Sequence, residues 1–160
     1  MKANVFLIAG LTATLAACNQ NSAIGNDREA QLDPPAEASP IEPASSALNG
    51  VATGLIKPET MTDADIAAIG GARGRCVFRF TEVGFPAFVY ERDGPGFIKL
   101  NGKLIPVEPA GPDRYASGEL LVVSRALDEG NAGLQAQQLI VAPPGAKDEL
   151  GFTGYVRCDR

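Results

Sequence analysis

Apolar and polar residues alternate along the C-terminal half of the chain with a period of two. In the first such stretch the even positions, Cys76, Phe78 and Phe80, are apolar, whereas Arg75 and Arg79 fall on the opposite face. This period is typical of a β-strand with one buried and one exposed face. The pattern predicts about seven strands, at residues 75–80, 86–92 and 97–100, in a segment that begins at Lys103, and at residues 119–124, 134–141 and 150–158.

The most specific turn signal is the dipeptide Asn101-Gly102, which lies between two apolar runs. Asn-Gly is the favoured two-residue hairpin turn, because both of its residues must adopt a positive φ. This turn predicts that Leu100 faces Lys103 and that Ile98 faces Ile105 across the hairpin. The residues expected on the apolar face are then Ile98, Leu100, Ile105 and Val107.

One short helix is predicted before the strands, over residues 62–69. Thr62 can cap its N-terminus, and Asp65 lies in the first turn, where the helix dipole favours an acidic side chain. Ile66 and Ile69 are three residues apart and form its apolar stripe. We expect this helix to cover an open end of the sheet.

Two cysteines, Cys76 in the first predicted strand and Cys158 in the last, share a parity with the apolar residues of their strands. Both therefore point towards the core and can form a disulfide that ties the ends of the sheet together. Closing so long a loop stabilises a domain by about 4 kcal/mol in the chain-entropy account. The predicted fold is mainly β: a small antiparallel barrel or sandwich with one short N-terminal helix and one disulfide.

The N-terminus has the parts of an export signal: Lys2, an apolar run from Val5 to Leu15, and Leu15-Ala16-Ala17-Cys18. The last four residues resemble a lipobox, the site at which bacteria acylate a cysteine and cleave before it. The resemblance implies that residues 1–17 are removed and that Cys18 anchors the chain to a membrane. Asn19 after the cysteine implies the periplasmic face of the outer membrane.

Two alternatives to the lipoprotein interpretation are a transmembrane anchor and an ordinary signal peptide. The apolar run from Ala3 to Ala17 has about 15 residues, whereas a spanning helix needs about 20. The lipoprotein is therefore the preferred interpretation, and it places the chain in an oxidising compartment, where a disulfide between the other two cysteines persists.

Residues 18–50 are predicted to be a disordered tether that follows the lipid anchor. They are rich in Pro, Ala, Ser and Glu, and no aromatic residue occurs between Phe6 and Phe78. Such a composition cannot bury a core. The alternative is a segment that folds on a partner. The β domain is predicted to span residues 60–160.

Composition narrows the chemistry further, because the chain has no His and no Trp. The commonest general base and the commonest metal ligand are absent, and no nucleophile, phosphate-binding or dinucleotide-binding motif occurs. We therefore expect no enzyme activity, no catalytic residue, no metal and no cofactor. The net charge of −5, which becomes −6 once Lys2 is removed, disfavours nucleic acid and favours a basic partner or none.

A small cationic patch is predicted on the outward face of the terminal strands. Arg75, Arg79 and Arg157 share this face with Tyr155, and such a cluster can bind a carboxylate or a phosphate. The alternative is that these long side chains keep exposed sheet edges soluble.

The exported part resembles the membrane-bound inhibitors of c-type lysozyme. The likeness depends on Cys18, Cys76, the stretch 97–103 and the run Ala110-Gly111-Pro112-Asp113-Arg114-Tyr115. The resemblance implies a small disulfide-bearing barrel with a partner-binding loop. That loop would contain Gly111, Asp113, Arg114 and Tyr115, with Ser117 in place of the family's serine. Overall the chain resembles uncharacterised bacterial envelope lipoproteins more closely.

The expected function is therefore a non-catalytic envelope lipoprotein that binds a basic envelope protein or a cell-wall ligand through its barrel loops. Residues 109–118 are expected to carry the contact, because their Gly and Pro content favours an exposed loop of defined shape. The alternatives are a lysozyme inhibitor, an enzyme acting on envelope glycans or peptides, and a structural accessory at the outer membrane.

Overall fold

The computed structural model describes residues 36–131 and 134–159 of the chain. Eight antiparallel strands form a closed barrel in which each strand pairs with the next and the last pairs with the first. The strands are β1 (Cys76–Arg79), β2 (Phe88–Tyr90), β3 (Gly96–Leu100), β4 (Lys103–Gly111), β5 (Arg114–Ser117), β6 (Leu120–Asn131), β7 (Leu134–Ala142) and β8 (Leu150–Cys158). The helices are α1 (Ala44–Ala47) and α2 (Asp63–Ala68), with a 3₁₀ turn at Thr53–Leu55.

The mainly β class and the antiparallel barrel are confirmed, and the strand missing from the prediction is β5. Its four residues lie inside the segment 109–118, which the sequence marks as turn-rich. Pro109 and Gly111 are part of β4, where the register with β5 shifts. β5 is too short and too polar to show a period of its own, so only its pairing with β4 and β6 identifies it.

The hairpin between β3 and β4 has the predicted register. Leu100 pairs with Lys103, and Ile98 with Ile105. Asn101 and Gly102 both have positive φ, at 47° and 73°, as this turn requires. The four residues predicted to share the apolar face are all fully buried, namely Ile98, Leu100, Ile105 and Val107.

The barrel interior is filled by the residues of one parity from every strand. Phe78 and Phe88 are its largest fully buried side chains. In β8, Gly154 faces this interior, and a Cβ there would lie 2.2 Å from the Arg79 carbonyl oxygen and 2.6 Å from the Phe78 ring. Glycine at this position therefore allows β8 to approach β1 closely enough to close the barrel.

The predicted disulfide between Cys76 and Cys158 is present and joins β1 to β8. The two cysteines lie directly opposite each other in the antiparallel pair, with Cα atoms 3.9 Å apart. The covalent link therefore lies across the seam where the barrel closes.

Residues 36–50, assigned to the tether by their composition, pack against the barrel instead. Ala44 and Leu48 are buried in the same core as Phe78, together with Ile56 further along the chain. The Ala44 N–H donates to the Ser117 Oγ at the end of β5. This segment therefore fills one end of the barrel.

The backbone of the same segment completes the sheet where β5 has ended. The Leu104 N–H donates to the Pro40 carbonyl, and the Glu42 N–H donates to the Leu104 carbonyl. A short strand such as β5 leaves part of its neighbour unpaired, and unpaired buried backbone groups are costly. That requirement, rather than apolar composition, holds Pro40 to Glu42 in place, and the domain boundary lies before the predicted residue 60.

Helix α2 is present with the predicted cap but occupies a different position. The Thr62 side chain accepts from the Asp65 N–H, and Asp65 accepts from the Thr62 N–H, which completes a capping box. The residues beside it, Met61 and Ile69, pack against outward-facing Val77, Val89 and Leu104. The helix therefore covers the outer wall of β1, β2 and β4, not an end of the sheet.

The predicted signal peptide (residues 1–17), the lipidated Cys18 and residues 19–35 of the tether lie outside the described residues. Within the described part, no helix is both long and apolar enough to span a bilayer.

Candidate functional site

The two ends of the barrel differ, and the end opposite the packed segment 44–56 contains a cavity of about 400 Å³. The β2–β3 turn, the β4–β5 turn and the disulfide surround this cavity, which we call the mouth. Its floor includes Tyr90, Tyr115 and Gln137, and its rim includes Arg92, Asp93 and Asp113. Cavities of this volume are of the size that accommodates small ligands.

The floor is aromatic and closely packed. The rings of Tyr90 and Tyr115 have centroids 5.2 Å apart, and both contact Phe88 below them. Only 6% of Tyr90 and 4% of Tyr115 are exposed. The Tyr115 hydroxyl donates to the Glu91 carbonyl at 3.4 Å. The ring faces are therefore covered, and the Tyr115 hydroxyl is engaged by the backbone of the β2–β3 turn.

A buried polar pair lies beside the tyrosines. The Ser124 hydroxyl donates to the Gln137 Oε1, and both side chains are inside the barrel. The Gln137 side chain lines the mouth, and a primary amide can both donate and accept hydrogen bonds. This pair provides the floor with neutral hydrogen-bonding capacity.

The tyrosine hydroxyls stay protonated throughout the physiological pH range. Burial raises the pKa of Tyr90, an effect that the Ser124 hydroxyl offsets in part and nearby Asp113 reinforces. Burial likewise raises the pKa of Tyr115, with further contributions from Tyr90 and from Asp113. Both hydroxyls therefore act as neutral hydrogen-bonding groups and carry no charge into the mouth.

The charged rim comes from two tight turns. Asp93 and Asp113 both have positive φ, at 61° and 54°, a conformation that Asp tolerates better than most residues. The Glu91 N–H donates to the Pro95 carbonyl, and the Ser124 N–H donates to the Asp113 carbonyl. These hydrogen bonds hold the turns, so the rim is formed before any ligand binds.

A second cavity, of about 510 Å³, adjoins the mouth. Five residues line both cavities, among them Arg92 and the two disulfide cysteines. Beyond them the second cavity is bordered by Arg157 and Asp159. A continuous groove therefore runs from Asp93 and Asp113, past Arg92, to Arg157.

The five residues predicted to form a partner-binding loop do not form one exposed surface. Gly111 and Asp113 line the mouth, and Arg114 is exposed beside them. Tyr115 is buried in the floor, because it has the inward parity in β5. Ser117 lies at the opposite end of the barrel, where it binds the Ala44 N–H.

The predicted cationic patch retains two of its three arginines as neighbours. Arg79 pairs with Tyr155 in the β1–β8 ladder, and Arg157 lies diagonally across from it. Burial and then the charge of Arg157 lower the pKa of Arg79, although a guanidinium remains charged. Arg75 instead donates to the Ile69 and Gly71 carbonyls and lies 3.2 Å from the Glu91 carboxylate.

Sequence reasoning missed Tyr90, Arg92 and Gln137 as site residues. Tyr90 and Gln137 have the apolar parity of their strands, and Arg92 resembles an ordinary charge beside a turn. Only a comparison of inward-facing polar residues at the same end of each strand could have found them.

The arrangement is suited to binding. Among the residues that the structure describes, no group of three or more His, Cys, Asp and Glu side chains is placed to hold a metal ion. The site instead combines a neutral hydrogen-bonding floor with a rim of mixed charge. Pockets that orient polar ligands combine a mainly apolar lining with a few such polar groups.

A family model, described as Domain of unknown function (DUF6692), matches residues 14–160. The chain belongs to the DUF6692 family. No curated protein and no solved structure matches it. Membership in the DUF6692 family therefore identifies relatives but assigns no activity to the mouth.

Proposed function

We propose that this chain is a non-catalytic lipoprotein of the bacterial envelope that binds a protein segment or a cell-wall component at the mouth of its barrel. The observation that carries the proposal is the difference between the two ends. One end is filled by Ala44, Leu48 and Ile56, and the other contains the cavity lined by Tyr90 and Tyr115.

Filling both ends with apolar side chains would give a more extensive core, so an open, polar-lined end is a feature of function rather than of stability. Ser124 and Gln137 are buried beneath the mouth, where apolar residues of similar size would pack without desolvating polar groups. Ligand pockets typically place a few such polar groups within a mainly apolar lining.

Anchoring at the membrane is supported by residues 15–18, which resemble a lipobox, and export by the disulfide between Cys76 and Cys158. Disulfides persist in the oxidising compartments outside the cytoplasm. Mass spectrometry of the membrane-bound protein tests the anchor: the expected N-terminal peptide begins at Cys18 and carries fatty acids. An N-terminus at another residue would contradict it.

The test of binding compares a variant of the mouth with a variant of the wall. Arg92→Gln combined with Asp113→Asn removes rim charges at nearly constant size, whereas Arg125→Gln changes an exposed residue of β6 outside the mouth. The membrane-extracted protein in detergent micelles is mixed with purified cell-wall sacculi, and separately cross-linked to envelope proteins.

We expect the wild type and Arg125→Gln to be retained equally by one of the two preparations. The rim variant should bind at least about tenfold more weakly, because it removes two charged groups and loss of one charge-assisted hydrogen bond alone has that effect. Equal retention of all three proteins, or no retention of any, would overturn the proposal.

A more specific form of the binding proposal is lysozyme inhibition. It is favoured by the exposed Asp113 and Arg114 at the tip of the β4–β5 hairpin. The acidic chain also has the charge needed to attract a basic enzyme. A bacterial lysis assay with excess protein should show protection that Asp113→Asn with Arg114→Gln abolishes. Absence of protection by the wild type removes this version and leaves binding at the mouth in place.

A further inference from the structure

We propose that the groove at the mouth takes a ligand with a free ammonium and a free carboxylate, namely an amino acid or a short peptide. This inference rests on the proposed function and specifies the ligand class. Asp93 and Asp113 would bind the ammonium, and Arg92, with Arg157 beyond it, would bind the carboxylate.

The balance of charge differs between the two cavities that form the groove, and Arg92 lies in both. Among its described residues the mouth has one more carboxylate than cation, with Asp93 and Asp113 against Arg92. The adjoining cavity has the opposite balance, with Arg92 and Arg157 against Asp159. A ligand of a single charge sign would be attracted at one end and repelled at the other, whereas a dipolar ligand fits both.

The floor favours the polar backbone of a peptide over a sugar ring. Sugars typically stack on exposed aromatic faces, but the faces of Tyr90 and Tyr115 are covered by each other and by Phe88. The Gln137 amide lines the mouth, and the Tyr115 hydroxyl keeps an acceptor position beside its hydrogen bond to Glu91. Both groups can pair with the N–H and C=O groups of a peptide.

The site is held in place before a ligand binds. The disulfide that closes the barrel lines both cavities, and backbone hydrogen bonds fix the two turns that carry the rim carboxylates. A preformed site avoids the cost of ordering loops on binding. This preorganisation allows a ligand with only a few directed contacts to bind specifically.

The test uses full-length chain labelled with ¹⁵N in detergent micelles and four probes of similar size. The probes are alanyl-alanine, N-acetyl-alanyl-alanine, alanyl-alanine amide and N-acetylglucosamine. Amide chemical shifts of the two turns at the mouth report binding, and shifts at the Asn101-Gly102 turn serve as the reference at the other end of the barrel.

We expect alanyl-alanine to shift the resonances of Asp93 and Asp113 in a saturable way. Blocking either the amino or the carboxyl terminus of the dipeptide should weaken binding about tenfold, as expected for the loss of one charge-assisted contact. Asp93→Asn with Asp113→Asn should remove the preference for a free amino group only. Arg92→Gln should weaken the preference for a free carboxylate only, because Arg157 remains. Arg125→Gln should leave both preferences unchanged.

The possible failures separate the two proposals. Saturable shifts at the mouth with N-acetylglucosamine but not with the dipeptide would overturn the ligand class and leave binding at the mouth standing. Equal binding of alanyl-alanine and of its two blocked forms would also overturn the ligand class. If no probe shifts the resonances of the mouth, and the protein is retained by neither sacculi nor envelope proteins, both proposals fail.

Discussion

At the scale of single residues, Asp65 joins three parts of the chain that are distant in sequence. Its carboxylate accepts from the Ser39 N–H at 2.6 Å and from the Thr62 N–H at 2.8 Å. It also lies 2.7 Å from the Lys99 ammonium on β3. Asp65 is fully buried and Lys99 nearly so. One carboxylate therefore attaches the N-terminal segment and α2 to the barrel wall.

These contacts determine how the protein responds to acid. Burial alone would raise the pKa of Asp65, but the hydrogen bonds from Lys99, Ser39 and Thr62 outweigh it and hold the pKa well below its ordinary value. A carboxyl group with a lowered folded-state pKa stabilises the fold above its unfolded-state value of about 4. That stabilisation is lost as the pH falls from about 4 towards the folded-state pKa.

We predict that Asp65→Asn lowers the free energy of unfolding at pH 7 by about 3 kcal/mol, because it leaves the Lys99 charge buried without a partner. The variant should also lose less stability than the wild type between about pH 4 and pH 2. Urea unfolding at several pH values measures both effects. Asp63→Asn, an exposed residue of the same helical turn, is the matched control and should change little. An equal acid response of Asp65→Asn and the wild type would contradict the role of this carboxylate.

At the scale of elements, residues 40–59 pair with the backbone of the barrel and cover one of its ends. Pro40 and Glu42 satisfy the backbone of Leu104, and Glu59 donates its N–H to the Lys99 carbonyl at the other hairpin strand. Between these two attachments Leu48 and Ile56 enter the core. The segment is therefore structural although its composition is that of a linker.

We predict that Ile56→Ala destabilises the protein by about 3 kcal/mol, because it removes a buried side chain and leaves a cavity at the closed end. Neighbouring Leu55 is 69% exposed and Ile56 only 4%. Leu55→Ala should therefore change stability by less than about 0.5 kcal/mol. Chemical denaturation of the two variants checks the difference, and equal effects would mean that the segment is not part of the core.

At the scale of the whole molecule, barrel closure depends on the seam between β1 and β8. Four residue pairs join these strands, from Cys76 with Cys158 to Arg79 with Tyr155. Gly154 permits the close approach, and the disulfide joins residues 82 positions apart. The same seam forms a wall of the mouth.

We predict that Cys76→Ala with Cys158→Ala lowers the free energy of unfolding by about 4 kcal/mol, because the unfolded chain regains the entropy of a long loop. Wild type treated with a reductant should show a similar loss, which controls for the altered side chains. Hydrogen exchange should rise first at the β1 and β8 amides. Unfolding at the same urea concentration with and without the disulfide would show that the seam does not depend on it.

Much of the barrel could be predicted because its signals are local. The parity of Cys76 and Cys158 indicates which way their side chains point, and Asn101-Gly102 determines the register of one hairpin. The capping box of α2 is contained in Thr62 and Asp65. In each case the physical cause lies within a few residues along the chain.

The mouth could not be predicted, because it is defined by strand ends that are distant in sequence. Arg92 and Asp113 lie on different turns, and Gln137 belongs to a third part of the sheet. Tyr115 resembles a loop residue until the pairing of β5 turns it inward. The position of each residue depends on barrel closure, which no local pattern encodes.

The sequence by itself determined the β class, the inward parity of the two cysteines, the Asn101-Gly102 turn and the cap of α2, because steric preferences and alternation act between near neighbours. Only the tertiary structure decided that the barrel has eight strands and that residues 40–59 belong to it. It also decided which end is filled and which is open. The reason is that unpaired backbone groups need hydrogen-bond partners and exposed core side chains need cover. Which segment supplies them depends on which part of the chain the closed sheet brings close.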